Sequence, residues 1–403
     1  MKSNSPKRKH EIIYIATIRF PTEKAHGLQI AKMCEAFVKS GANVSLLIPN
    51  RTQPTEMKMA TPFSYYSIKD KYTIIKLACV DLLITSKQSL KYLSYLLLKA
   101  SFFLSLMFYL RTKKNKKTIV YTREIIFIPL VRMLGYKNIF LEIHDWPQSM
   151  AGDFISKKLL KRVNGIVCVS PQLKKRVIIS NSINNNHILL SPNAIDKIFL
   201  KTHKKSESRK IIKLPLNKNI VMYAGGLYRS KGINTFIKSS DFFKNQNILF
   251  VVVGGSYVEV KEKSIIHRIK QKPNIVHFPH QKHNKMPLFL SAADILVIPN
   301  SEKIKAKAYK EYTWPLKFYE FMSAGRPVIL SKVTALKNIS KNMHNTIFFK
   351  PDSAEDLANK IKLLFHNKKL QRSLSKNAKR VVGKYSWEVR ANNILKFIEL
   401  NLI

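Results

Sequence analysis

An α/β fold of two doubly wound parallel sheets is predicted by three observations. Short apolar runs alternate with helix-period segments along the whole chain, and each run is nearly continuous in apolar residues, as strands buried on both faces of a parallel sheet are. Between Lys197 and Lys218 a polar, basic stretch with Lys201, Lys204, Lys205, Arg209 and Lys210 breaks the series and reads as a linker. At 403 residues the chain exceeds one ordinary core, so two domains are expected.

The first series opens with a strand over Ile12 to Thr17. A helix follows, with Ile30, Cys34, Phe37 and Val38 at spacings of three and four, and stops at Gly41. Further strands are predicted at Val44 to Ile48, Ile119 to Tyr121, Ile139 to Glu142, Gly165 to Ser170 and Ile188 to Leu190. Between them lies an apolar stretch from Leu93 to Leu110, interrupted by Lys99 and flanked by Lys91, Arg111, Lys113, Lys114, Lys116 and Lys117. About 18 residues is marginal for crossing a bilayer, and a central charge costs about 3 kcal/mol there. The stretch therefore reads as a helix partly buried in the protein and partly docked on a bilayer surface, with a wholly internal helix as the alternative. The second series has strands at Ile220 to Tyr223, Ile248 to Val253, Val276 to Phe278, Ile295 to Ile298, Val328 to Leu330 and Thr346 to Phe349. Ser353 to Asp356 has the spacing of a helix start and leads into Leu357, Ile361, Leu364 and Phe365.

Lys plus Arg number 71 against 24 acidic residues, a net charge of +47, so a polyanionic partner is expected. An anionic membrane surface and phosphorylated small substrates fit best. Nucleic acid is not expected, because no zinc-finger spacing, aromatic RNP-like strand or basic zipper is legible. Biased composition, with abundant Lys, Ile and Asn, is the plainer source of the charge. Cys34, Cys79 and Cys168 are odd in number and form no Cys-x-x-Cys pair, which argues against a disulfide framework or zinc site and for a reducing compartment. The N-terminus is basic, with Lys2, Lys7, Arg8 and Lys9, but the run Ile12 to Ala16 is too short for a signal sequence. A cytoplasmic, membrane-peripheral location follows as an expectation.

Several short strings carry chemistry. Around Tyr312 to Leu330, Pro315 suits the first turn of a helix whose free amides favour an anion, a phosphate above all. Gly325 closes that helix, and Pro327 leads into the strand Val328 to Leu330. Lys317 and Glu320, three apart, face one side; an ordinary solvated ion pair is the alternative. Ala224 to Gly232 follows a strand, with glycines that let backbone approach a ligand and with Arg229 and Lys231 placed for phosphate; a merely solvated basic loop is its alternative. Gly27, in Glu23 to Gly27, would leave backbone donors open after the first strand, with His26 a surface neighbour. His144, in Glu142 to Pro147, sits at a strand end, where parallel sheets present their sites, although a lone histidine there is commonly structural. No Asp-x-Asp pair occurs, so no metal is expected, and no cofactor.

In their order along the chain the strings resemble the retaining glycosyltransferases of family 4, from Pro21 to the last helix. The resemblance implies the GT-B architecture, two Rossmann-like doubly wound domains facing across a cleft. It places a first domain at 1–200, a nucleotide-sugar domain at 201–385 and a helix at 386–403 returning to the first. By the resemblance Pro315, Leu316 and Lys317 hold the nucleotide diphosphate with Gly226, Arg229 and Lys231. Glu320 binds the ribose, and Tyr312 stands where other members set a Glu against the donor sugar. Gly27 meets the donor phosphate, and His144 meets the sugar near its reacting carbon, with Asp145 orienting the loop. Arg123, in Tyr121 to Glu124, meets an anionic acceptor or supports the loop, and the turn Ser191 to Asp196 is structural. Trp314 replaces a Ser, Gly226 an Arg and Ala194 a Gly of the usual pattern. The implied activity is sugar transfer from a UDP- or GDP-type donor to a lipid-linked or polysaccharide acceptor in cell-surface glycan synthesis. Retention would come from front-face attack, the leaving phosphate taking the acceptor's proton. A GT-B nucleotide-sugar epimerase and a non-catalytic membrane or polyanion binder are the rival readings.

Overall fold

The computed structural model describes residues 10–83, 87–113, 115, 117–147, 149–181, 183–201, 203–255, 263–303, 315–337 and 339–403. The chain divides into two compact units, one ending at Asn193 and completed by Trp387–Ile403, the other Ala194–Ser386. Each is built on one parallel sheet flanked by helices.

In the first unit the strands are β1 (His10–Ile15), β2 (Ala42–Pro49), β3 (Thr73–Leu77), β4 (Ile119–Thr122), β5 (Ile139–Ile143), β6 (Gly165–Cys168) and β7 (Ile188–Leu190), in the order β3-β2-β1-β4-β5-β6-β7. The order reverses between β1 and β4, where doubly wound sheets open a crevice at their carboxyl ends. Tyr14 pairs in register with Tyr121, and Tyr121 with Phe140, so aromatic side chains line up beneath that edge. Strand β3 is absent from the sequence reading. It is an edge strand with Thr73 and Lys76 exposed, so its apolar run is short and broken.

The helix Lys91–Thr112 buries one narrow stripe, Ser94, Leu98, Phe102, Leu106 and Leu110, at steps of four. Lys99 lies over the Tyr95 ring and 3.6 Å from Glu124, so the charge that interrupts the apolar run ties the helix to the loop after β4. Leu93, Leu96, Leu97, Leu104 and Phe108 remain exposed, which excludes the wholly internal helix.

The second unit contains β8 (Asn219–Ala224), β9 (Ile248–Val253), β10 (Ile275–Phe278), β11 (Ile295–Ile298), β12 (Val328–Ser331) and β13 (Ile347–Phe349), ordered β10-β9-β8-β11-β12-β13. Its core is the apolar faces of these strands packed by Phe236, Phe243, Leu357, Ile361 and Leu364. The stretch from Lys197 to Lys218 is not a linker. It forms a 3-10 turn, Lys197–Leu200, and a helix, Lys205–Ile211, whose Arg209 is buried. The Arg209 guanidinium donates to the carbonyls of Ala292 (2.9 Å) and Lys218 (2.8 Å) and pairs with Asp294 at 2.7 Å. Composition misleads here because one of its cations is a structural clamp.

Candidate active site

In the second unit the site residues gather at the carboxyl ends of the strands. After β8, Gly225 adopts φ +143°, donates its amide to Val253 and accepts at 3.2 Å from Gly255, so the glycine turns after β8 and β9 nest together. A Cβ on Gly254 would stand 2.4 Å from the Gly225 carbonyl oxygen, which leaves no room for a side chain. The Gly254–Gly255 turn is a part of the site that the sequence reading passed over; two glycines straight after a buried strand were its signal. Gly226 uses its carbonyl to accept from the Tyr223 hydroxyl at 2.5 Å.

The 3-10 turn Arg229–Lys231 follows and ends on Gly232 at φ +72°. A Cβ at Gly232 would lie 1.6 Å from the carbonyl oxygen of Pro299, which follows β11. Gly232→Ala is therefore expected to destabilise the protein by about 2 kcal/mol or more, because a left-handed residue and a backbone clash coincide. A urea midpoint within error of wild type would contradict this packing. Arg229 is exposed, whereas Lys231 is partly buried beside Lys317. Buried Asn300, also after β11, has an Oδ1 without a hydrogen-bond partner among the described residues, an acceptor that no sequence motif announced.

Pro315 caps the helix Leu316–Ser323 from just outside it, one position earlier than expected. Phe318 donates to the Pro315 carbonyl at 3.1 Å, and the amides of Leu316 and Lys317 have no acceptor among the described residues. Lys317 Nζ is buried, has no hydrogen-bond partner there, and lies over the Tyr223 ring, 5.1 Å from its centroid. Burial, and then neighbouring Lys231, push its pKa down to about 7, Glu320 acting the other way. Glu320 is pushed up to about 8 by burial and then Asp196, and His283 Nδ1 lies 3.7 Å from its Oε1. The solvated Lys317–Glu320 ion pair does not exist. An ammonium and a carboxyl are instead held apart in a poorly hydrated place, which costs stability and suits an anion with hydroxyl groups. Tyr312 and Trp314 lie outside the described residues.

In the first unit His144 follows β5, and its Nε2 is 2.5 Å from Glu142 Oε1. Gln29 donates to the same oxygen at 2.7 Å, and the Tyr121 hydroxyl donates to Oε2. Burial alone would raise the Glu142 carboxyl, but Arg390 and then His144 hold it well below the usual carboxylate range. Burial and then Arg123 push His144 down to about 4, against the pull of Glu142, so the imidazole is neutral at pH 7. Arg123 donates to Gln29 Oε1 at 2.8 Å, and Gln29 in turn donates to Glu142. Asp145 is exposed, with no hydrogen bond to another described residue. The loop is tied by Trp146, which donates to Asp153 at 2.6 Å, and by Arg176, which donates to the same carboxylate at 2.9 Å.

Gly27 does not hold an open donor. Its amide donates to the Lys24 carbonyl at 3.0 Å, and a Cβ there would stand 2.3 Å from Tyr66 Oη, which binds both the amide and carbonyl of Thr22. Its role is close packing at the helix start. His26 is half-buried and lies near Arg123 and His144, not on the open surface. The Glu142–Arg390 pair is what sequence reasoning missed, since no local pattern links residues so far apart.

Residues 204–381 match the family model described as glycosyl transferases group 1. Among curated proteins, an N,N'-diacetylbacillosaminyl-diphospho-undecaprenol alpha-1,3-N-acetylgalactosaminyltransferase of Campylobacter jejuni is 25% identical over 209 residues, half of each chain. A D-inositol 3-phosphate glycosyltransferase of Corynebacterium aurimucosum is 21% identical over 68% of this chain and 66% of its own. The matches to the first three curated relatives span 50%, 64% and 56% of their lengths. Among solved structures, Thermosynechococcus elongatus sucrose-phosphate synthase aligns with a TM-score of 0.77 at 17% identity, over 97% of this chain and 99% of that one. Anabaena HepE, solved with UDP and glucose, aligns at 0.71 and 13%, over 97% and 99%. Residues 204–381 thus form a domain of the group 1 glycosyl transferases, and the two parallel α/β units are those of the GT-B fold.

Proposed function

We propose that the protein is a retaining glycosyltransferase that moves a sugar from a UDP- or GDP-type donor to a hydroxyl of a lipid-linked or polysaccharide acceptor, in the synthesis of a cell-surface glycan. The observation that carries this reading is Lys317, a buried cation without a hydrogen-bond partner among the described residues, at a helix start with no side-chain cap hydrogen bond, beside Lys231. A diphosphate supplies the missing partner, and the amides of Leu316 and Lys317 add donors that need not reorganise as negative charge develops on the leaving group. Glu320, neutral at pH 7, offers the ribose both a donor and an acceptor. His144 meets the sugar. The bond from the anomeric carbon to phosphate breaks, the acceptor oxygen bonds on the same face, and the departing phosphate takes the acceptor's proton. The reading is in line with a Campylobacter relative named for an undecaprenol-linked acceptor and with neighbours solved with UDP and UDP-glucose.

Thermal unfolding with UDP, GDP and ADP tests it. One nucleotide at a hundred times its Kd should stabilise the protein by about 2.7 kcal/mol, and uridine or guanosine should not. Stabilisation by none of the three, or interconversion of sugar nucleotides without an acceptor, would defeat the proposal.

The same reading puts the protein on the cytoplasmic face of an anionic membrane, through the outer side of the helix Lys91–Thr112. Its exposed Leu93, Leu96, Leu97, Leu104 and Phe108 are bordered by exposed Lys91, Arg111 and Lys113, a pairing that suits an interface and not a crossing. Leu104→Asp and Phe108→Asp should each weaken co-sedimentation with phosphatidylglycerol vesicles about 10- to 100-fold, from about 1.5–3 kcal/mol of lost burial, with unfolding unchanged. Unaltered binding by the double variant would place the contact elsewhere.

A further inference from the structure

The C-terminal helix Trp387–Glu399 carries one cation into the interior of the first unit. Arg390 is buried, its Nε donates to the Pro192 carbonyl at 2.9 Å, and its Nη2 donates to Ser191 at 3.2 Å. The same guanidinium faces Glu142, with Nη2 3.1 Å from Oε1 and Nη1 3.4 Å from Oε2. An ionised carboxylate can only accept. Gln29, Tyr121, Arg390 and His144 must therefore all donate to Glu142, and the proton of the neutral imidazole is fixed on Nε2. Nδ1 is left as a bare lone pair.

We propose that Arg390 is a positioning residue which, through Glu142, holds His144 as its Nε2–H tautomer and presents Nδ1 as a hydrogen-bond acceptor for a substrate hydroxyl. The proposal rests on the reading of His144 as the group that meets the sugar. Its physical basis is the counter-charge: without Arg390 the buried carboxyl favours its protonated form, which can donate to Nε2 and so move the ring proton to Nδ1. An acceptor would become a donor at the reacting centre. The other ionisable groups around the ring are Arg123 and His26, neither of which touches Glu142 oxygens.

Arg390→Met alone strands a buried carboxylate and can fail to fold. The double variant Arg390→Met/Glu142→Gln replaces the pair by neutral groups of similar size, an exchange that buried ion pairs commonly tolerate. The readout is the long-range proton–nitrogen spectrum of protein labelled with nitrogen-15 histidine, in which His144 is assigned by its loss in His144→Gln. Wild type should show a protonated Nε2 and a bare Nδ1, unchanged between about pH 5.5 and 8. The double variant should show mixed tautomers, with kcat reduced about 100-fold and the donor KM within a few-fold. Arg390→Lys, which keeps a charge beside Glu142, should keep the wild-type tautomer. An Nδ1–H or doubly protonated ring in wild type, or an unaltered tautomer in the double variant, would overturn the proposal. The spectra need no substrate. A wild type that holds the tautomer yet transfers no sugar would defeat the transferase reading, and with it the substrate hydroxyl at Nδ1, while the control of the tautomer by Arg390 would stand on the spectra.

Discussion

Lys317→Met should lower kcat/KM for sugar transfer by about 10²- to 10³-fold, some 2.7–4 kcal/mol of transition-state stabilisation, because it removes the buried cation that the proposed function sets against the leaving diphosphate. The same change should make the ligand-free protein more stable. In the folded chain the Lys317 pKa is lowered to about 7, so between pH 7 and the ordinary lysine value near 10.4 the unfolded chain binds the extra proton. Stability from this group therefore rises with pH across that window, and at pH 7 the lysine is a liability that methionine removes. Glu320 runs the opposite way, raised to about 8, so its contribution falls as pH climbs from the ordinary carboxylate range towards 8. Glu320→Gln should likewise unfold at a higher temperature at pH 8, by about 2–4 °C per kcal/mol recovered. Lower activity joined to higher stability is the signature of a binding group; a structural lysine would lose both.

His144→Ala should reduce kcat about 100-fold and leave the donor KM within a few-fold, since the proposed function sets the imidazole at the sugar and not at the nucleotide. Steady-state kinetics with a saturating acceptor would show it, and transfer within a few-fold of wild type would remove His144 from the reacting centre. The pH profile gives a second reading. With a pKa near 4, His144 should contribute no acid limb near pH 6.5, and an acid limb should appear only as pH approaches 4. Because this pKa lies below the ordinary histidine value, the unfolded chain binds more protons between about pH 4 and 6.5, so the part of folding stability linked to His144 grows as pH rises through that interval.

Most strands were legible because a buried parallel strand has apolar neighbours on both faces, and Ile248–Val253 or Ile295–Ile298 has no other reading. β3 was not, since an edge strand with Thr73 and Lys76 in solvent lacks that run. The basic stretch after Lys197 was misread because the partner of Arg209, Asp294, is distant in sequence, and composition alone cannot tell a clamp from a solvated charge. In the candidate site, a local string was sufficient to bring out residues that share one helix start, as with Pro315, Lys317 and Glu320. They failed where the chemistry is assembled from afar: Glu142 meets Gln29 from the first helix, Tyr121 from β4 and Arg390 from the last helix. Gly27 shows the converse error. Its turn looked like an open anion site, but the Tyr66 hydroxyl fills the space beneath it.

The most direct test is a calorimetric titration of the nucleoside diphosphate selected by the thermal screen into wild type and Lys317→Met, at pH 6.5 and 8.5. Wild-type affinity should fall by about tenfold per pH unit above 7, as Lys317 gives up the proton that the diphosphate needs, and this dependence should vanish with the methionine. Equal affinity in the two proteins at both pH values would mean that the diphosphate does not rest on Lys317.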